Sequence, residues 1–247
     1  QAASPGVIDL PLPTDATVPA LRAAGLAASQ RPIVAFMEDH CACSPGWRNA
    51  IVQTHEIACE AVGGPVDLAP AGKPLDWAVY FFDYARFSTP LRPGPADSLS
   101  GANMSYKRSA LDAVGPVPQH GVFEVAIEQA FRDRHFVMLL APDAIVVSKK
   151  RHQAGRTVGF MFALARGYAA QRLLGAGALR RALFGAGSVA LPLLLASRIL
   201  AATLRAPRHL WRLAIAAPWI AFLLVTWSLG ELTGYLSGAG DSLSKWR

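Results

Sequence analysis

Residues 213–230 (LAIAAPWIAFLLVTWSLG) run for 18 positions without a charge, between Arg212 and Glu231. No other stretch limits the fold as much. A run of this length is close to the roughly 20 residues a helix needs to cross a bilayer, and in water it must be covered by other protein. A second run, 182–197, has 16 uncharged residues before Arg198 interrupts it, so it spans only if that arginine snorkels to a headgroup. The link between the runs carries Arg205, Arg208 and Arg212, which opposes translocation of that end. Two readings of the tail therefore stay open: two membrane spans, or two helices that are interfacial or half buried. Upstream, residues 149–181 carry eight Lys and Arg and no acid, a basic belt beside the apolar segments.

The front of the chain differs in charge and pattern. Residues 1–148 hold 10 Lys and Arg against 15 Asp and Glu, a net of −5, whereas 149–247 hold 14 against 2, a net of +12. This divides the chain into an α/β domain over 1–150, a basic interfacial linker or helix over 151–181, and apolar membrane-associated helices over 182–247. At 52% hydrophobic residues the chain is too apolar to be disordered. Three cysteines (Cys41, Cys43, Cys59) exclude a disulfide scaffold and fit a reducing compartment. Gln1 is not followed by a basic segment and an apolar core, so no signal peptide is expected in its first residues.

Along the front, Val7–Leu10 is a short strand candidate and 17–29 a helix rich in Ala and Leu. Ile33–Met37 is an apolar run of buried-strand length. Ser44 as N-cap and Pro45 at the first helical position open a helix bearing Trp47, Ile51 and His55. Residues 61–66 read as strand and turn. The proline-rich stretch from Pro70 to Pro95 reads as looser chain around Trp77, Tyr80, Phe81, Phe82, Tyr84 and Phe87. Residues 100–108 suit a strand entered through a glycine turn. Residues 121–134 form an amphipathic helix with Val122, Phe123, Ala126, Ile127, Ala130 and Phe131 on one face. A last apolar strand is expected near 136–147.

Glu38-Asp39-His40, at the carboxyl end of the buried strand, stands where open α/β sheets place their ligands. Oxygen ligands with imidazole suit Mg²⁺ or Mn²⁺, and a solvated turn is the simpler alternative. Glu124, at the flank of the amphipathic helix, is a candidate general base, with Glu128 one turn on competing for the role. Gly101 permits close backbone approach, and Asn103 can bond to hydroxyls or cap a turn. The aromatic cluster around Trp77 suits stacking on a sugar, holding a lipid, or core packing. Structural zinc needs four ligands, and Cys59 is the only thiol beyond Cys41 and Cys43. No phosphate-binding loop is present. The arginines are interleaved with apolar runs instead of forming a polar patch with exposed aromatics, which argues against a nucleic-acid partner.

Taken in order, LRAAGLAAS, IVAFMEDHCACSPGW, AVGGPV, WAVYFFDY, LSGANMSYKRSAL, GVFEVAIEQAF and WSLGELTGYLSGAG resemble family-2 glycosyltransferases of the GT-A fold, of the bacterial membrane-associated kind. The resemblance covers about residues 15–240. It implies a Rossmann-like GT-A domain lacking its first 60–80 residues, so that the chain is the carboxyl-terminal two-thirds of such an enzyme. It places Glu38, Asp39 and His40 on the family's metal-binding Asp-x-Asp position, with His40 in place of the last aspartate. Glu124 falls on the first residue of the family's Glu-Asp pair, Val125 replacing the usual base, which makes Glu124 the expected base here. Arg22 and Gly25 match a stretch near the donor, Gly101 and Asn103 line the donor sugar, and Arg166 and Arg172 neutralise the leaving diphosphate. Trp77 and Tyr80 are the expected acceptor contacts. The implied activity is inverting transfer from a nucleotide sugar, with a divalent metal, to a lipid-linked or cell-surface polysaccharide acceptor. The implied place is the cytoplasmic face of a bacterial inner membrane. The alternative is a non-catalytic membrane-associated remnant.

Overall fold

A computed structural model gives the structure of residues 7–115 and 123–242. The apolar run Ile33–Met37 is strand β1, as its composition predicts, followed by β2 (Cys41–Cys43) and β3 (Ala61–Gly63). β4 (Val66–Leu68), β5 (Gly94–Pro95), β6 (Asn103–Lys107), β7 (Met138–Leu140) and β8 (Val146–Ser148) complete two sheets. One has the order β1-β6-β3-β7-β5, the other β2-β8-β4. β6 runs antiparallel to both neighbours, with Met37 opposite Asn103 and Gly63 opposite Met104. This register brings the end of β1 and the start of β6 to the same edge, and that edge carries the site described below.

The single strand expected near 136–147 is two, because a turn at Pro142 and Asp143 sends the chain from the first sheet into the second. Val7–Leu10 is exposed and forms no strand. Thr17 caps helix α1 (Val18–Ala28), its Oγ1 accepting from the Ala20 amide. Helix α2 (Trp47–His55) is capped by Gly46 at φ 87°, two residues beyond the expected Ser44, whose carbonyl instead accepts from the Trp47 amide in the preceding turn.

The proline-rich stretch read as loose contains helix α3 (Pro74–Tyr84). Pro74 sits in the first turn, where it needs no donor, and the Asp76 carboxylate accepts from the Lys73 amide at 2.8 Å. Helix α4 (Arg108–Val114) follows β6, and α5 (Phe123–Asp133) is the expected amphipathic helix; Gly121 and Val122 of that expectation lie outside the described residues. Ile127 and Phe131 pack with Val34, Phe36, Met104 and Tyr106 on one face of the larger sheet.

The basic and apolar back half is helical: α6 (Ala154–Arg172), α7 (Ala178–Gly187), α8 (Leu191–Leu204) and α9 (Leu210–Ser237). A 3₁₀ turn joins α7 to α8, giving a helical stretch Ala178–Leu204, and Pro207–Ser237 forms another; both are long and apolar enough to cross a membrane by length and composition. α6 lies along α9 through small residues. A Cβ on Gly230 would sit 2.6 Å from the Phe162 carbonyl oxygen, and one on Gly234 2.4 Å from that of Arg166. This Gly-x-x-x-Gly stripe lets the two backbones approach. The core crosses the boundary drawn at residue 150: Leu75, Trp77 and Phe81 of α3 pack with Met161, Ile220, Leu223 and Leu224.

Candidate functional site

The β1–β6 register sets Glu38 beside the loop 97–102. The Glu38 Oε2 lies 2.7 Å from His40 Nε2, off the hydrogen-bond direction, and accepts from the Tyr84 hydroxyl at 3.3 Å. His40 Nδ1 is 3.1 Å from Asp39 Oδ1, and the Asp39 side chain is otherwise in solvent. Burial pushes the Glu38 carboxyl up, but the adjacent His40 imidazole and the charges of His40, Lys150 and Arg22 outweigh it, so the group is held below the usual carboxylate range. One ligand atom from each of Glu38, His40 and Cys41 falls within 4.8 Å of the others. Burial first, then the Glu38 charge, pushes the Cys41 thiol up to about 12, so it stays protonated at neutral pH. An ionised carboxylate with an imidazole suits Mg²⁺ or Mn²⁺.

The second half of the site belongs to α5 and α1. Arg22 Nη1 donates to Glu124 Oε1, and its Nη2 donates to the Gly101 carbonyl at 3.1 Å. The other oxygen, Glu124 Oε2, is buried and has no hydrogen-bond partner among the described residues. Gly101 faces this carboxylate directly, since a Cβ there would lie 2.1 Å from Glu124 Oε1. One turn on, Glu128 Oε1 accepts from the Leu99 amide at 2.9 Å, and Arg132 Nη1 donates to the Asp97 carbonyl at 3.2 Å. Positions 124, 128 and 132 share one helix face, so three successive turns of α5 hold loop 97–101. Burial raises the Glu128 pKa to about 7. Of the two glutamates competing for the base role, Glu128 is tied to the loop backbone and Glu124 retains an uncommitted oxygen.

The other expected residues have different surroundings. Asn103 is buried, donating to the carbonyls of Pro65 (3.0 Å) and Ala144 (2.7 Å) and accepting from Trp47 Nε1 (2.9 Å), so it braces three segments beneath the site. Gly25 lies in α1 one turn after Arg22, with open space where a Cβ would be. Trp77 and Tyr80, expected to meet an acceptor, are 4% and 2% exposed and packed around His209. The back half covers them, so they are core. Arg166 donates from Nε to the Gly238 carbonyl at 2.8 Å, and Arg172 pairs with Glu231 at 3.1 Å and with the Tyr235 hydroxyl. Both arginines fasten α6 to α9.

Two residues missed in the sequence belong here. Tyr84 reaches Glu38 from α3, and burial first, then the charges of Glu124, Glu128 and Asp83, raise the pKa of Tyr168 of α6. Neither carries a sequence signal, since both depend on which helix covers the sheet edge. Between α3 and α8 lies a cleft of about 190 Å³, lined by Phe82, Asp83, Arg86, Leu195 and Arg198 among others.

No family model matches the chain, and no curated protein matches it. Among solved structures the chain is similar to the mannosyltransferase PcManGT from Pyrobaculum calidifontis, in complex with GDP-Man and Mn²⁺, at a TM-score of 0.47 and 14% identity. The match covers 85% of this chain and 64% of that one, so the chain spans less than two thirds of that protein's length. A likeness this distant assigns no activity to this chain.

Proposed function

We propose that this chain is the larger part of an inverting glycosyltransferase acting at a membrane on a lipid-linked or polysaccharide acceptor. The observation that carries the reading is Arg22. It binds the candidate base Glu124 and the Gly101 carbonyl, and its charge acts on Glu38 at the neighbouring strand end. One guanidinium thus ties together the three features that the sequence resemblance singles out independently.

In this reading the nucleotide sugar lies against the edge formed by Glu38, Arg22 and Gly101. Glu38 and His40 would hold a divalent cation, which when bound supplies Lewis-acid stabilisation of the departing diphosphate. Glu124 Oε2 takes the proton of an acceptor hydroxyl, and the alkoxide forms the new bond to the anomeric carbon. The bond from that carbon to the diphosphate oxygen breaks on the opposite face, and the configuration inverts. Arg22 holds Glu124 oriented for the transfer. Gly101 keeps the loop backbone close to the carboxylate. Mg²⁺ or Mn²⁺ is the cofactor, and the acceptor arrives from the cytoplasmic leaflet of a bacterial inner membrane.

Glu124→Gln in the intact protein is expected to abolish sugar transfer and leave nucleotide-sugar binding in place, measured by product formation and by titration of the donor. Undiminished turnover would remove Glu124 from the base role.

A further inference from the structure

We propose that the two long apolar helical stretches do not cross the bilayer but lie flat in one leaflet of an anionic membrane, with the α/β domain seated on their other side. The inference rests on the membrane association read above and is independent of sugar transfer. Its starting point is how α3 packs on α9. The Trp77 ring stands 5.5 Å from that of His209 and under the Arg212 guanidinium at 4.1 Å, while Phe82 stands 4.9 Å from Trp227. From His209 to Trp227 is 18 residues, about 27 Å of helix, nearly the full ~30 Å of a hydrocarbon core.

A crossing α9 would therefore carry α3 into the hydrocarbon. α3 does not come alone: Tyr84 is bonded to Glu38, and Tyr80 donates to the Val66 carbonyl of β4. The open edge of a sheet and the Glu38 carboxyl group would follow it, and lipid tails cannot satisfy those polar groups. The segment beyond Trp227 is too short to cross by itself, with ten residues left before α9 ends at Ser237. The Ala178–Leu204 stretch packs beside α9 and shares its constraint, since Ile199 and Ala202 join the core around Trp77 and Leu223.

The outer face is equally specific. Trp211, Ile215, Phe222, Val225, Leu229 and Leu236 of α9 are each 50–63% exposed. At 100° per residue they fall within an arc of about 80°, opposite the buried Ala216, Ile220, Leu223 and Leu224. On the neighbouring stretch Leu183, Val189, Leu193 and Leu204 are exposed as well. The hydropathy that flags two spans thus has two sources, one face apolar for protein and the other for lipid. The back half carries a net charge of +12, with Arg180 and Arg205 exposed near the two ends of the shorter stretch, which matches an anionic headgroup layer.

Spin labels placed singly at I215C, F222C and L229C on the full chain, bound to vesicles of phosphatidylcholine with 30% phosphatidylglycerol, test this by collisional depth measurement. Signal from the native cysteines is subtracted using the parent chain. All three labels are exposed, and a flat helix puts them at one depth, about 5–10 Å below the headgroups. A depth gradient approaching ~21 Å across those 14 residues is the crossing result and overturns the proposal. Flotation with the anionic vesicles is expected to exceed that with pure phosphatidylcholine at least tenfold; equal binding overturns the anionic assignment. Absence of flotation with either vesicle overturns membrane association itself, and sugar transfer to a water-soluble acceptor, scored separately, stands or falls on Glu124.

Discussion

At the scale of single residues, the site is decided by which carboxylate is left uncommitted. Glu124 and Glu128 lie on one face of α5, and sequence alone ranks them equally. Glu128 is the one whose burial has a measurable consequence. Its folded pKa is about 7 against an ordinary 4.5, so the native state holds its proton more tightly than the unfolded chain does. Stability from this group is full below about pH 4.5, falls as pH rises toward 7, and is flat above that. The loss is at most about 3 kcal/mol. Glu128→Gln keeps an acceptor for the Leu99 amide and removes the titration. It is expected to raise Tm at pH 8 and to flatten the dependence between pH 5 and 7, in thermal unfolding followed across that range. Gly101→Ala makes the complementary test. Its methyl group would collide with Glu124 Oε1, so Glu124 must leave Arg22. We expect transfer to fall at least tenfold while Tm changes little, read from initial rates alongside a melting curve.

At the scale of elements, local pattern was legible where a segment's own residues carry it. Ile33–Met37 reads as a strand from its apolar run, although β1 lies at the sheet edge with Val34 and Phe36 buried and Ala35 and Met37 exposed. α5 shows its period because one side meets the sheet and the other water. α3 was hidden. Its prolines suggest loop, yet Pro74 occupies the one turn of a helix that tolerates it. The split of 138–148 into two strands was equally invisible, since pairing with β3 or β4 is decided by residues some eighty positions away. The glycines of α9 carry a clear positional meaning only once α6 is laid against them. Gly234→Val is expected to force α6 and α9 apart and to lower stability by about 1–3 kcal/mol, the usual cost of overpacking. Unfolding in detergent, compared with Gly187→Val, where a Cβ meets open space, separates packing from the general cost of a β-branched residue in a helix.

For the whole molecule, the charge division at residue 149 was legible from composition, but it does not separate two independent bodies. Arg208, at the start of the Pro207–Ser237 stretch, pairs with Asp67 at 3.1 Å and with the Thr89 hydroxyl, fastening the corner of the back half to β4. That arginine is half exposed, so Arg208→Ala is expected to cost little in global stability. Its effect should be local: faster amide hydrogen exchange over 205–212, with the remainder unchanged.

The sequence alone determined which residues are chemically capable: a carboxylate–imidazole pair at a strand end, two glutamates on a helix face, a glycine that permits close approach, and helices apolar enough for lipid. These are properties of residue type and short-range period, written locally. Tertiary structure decided which of them act together. It brought Arg22 to Glu124 across 102 residues, buried Trp77 and Tyr80 under α9, and tied Arg166 and Arg172 to that helix. It also laid α3 along the apolar helices. Each outcome depends on contacts between segments distant in the chain, and the short-range pattern of either segment does not specify its partner.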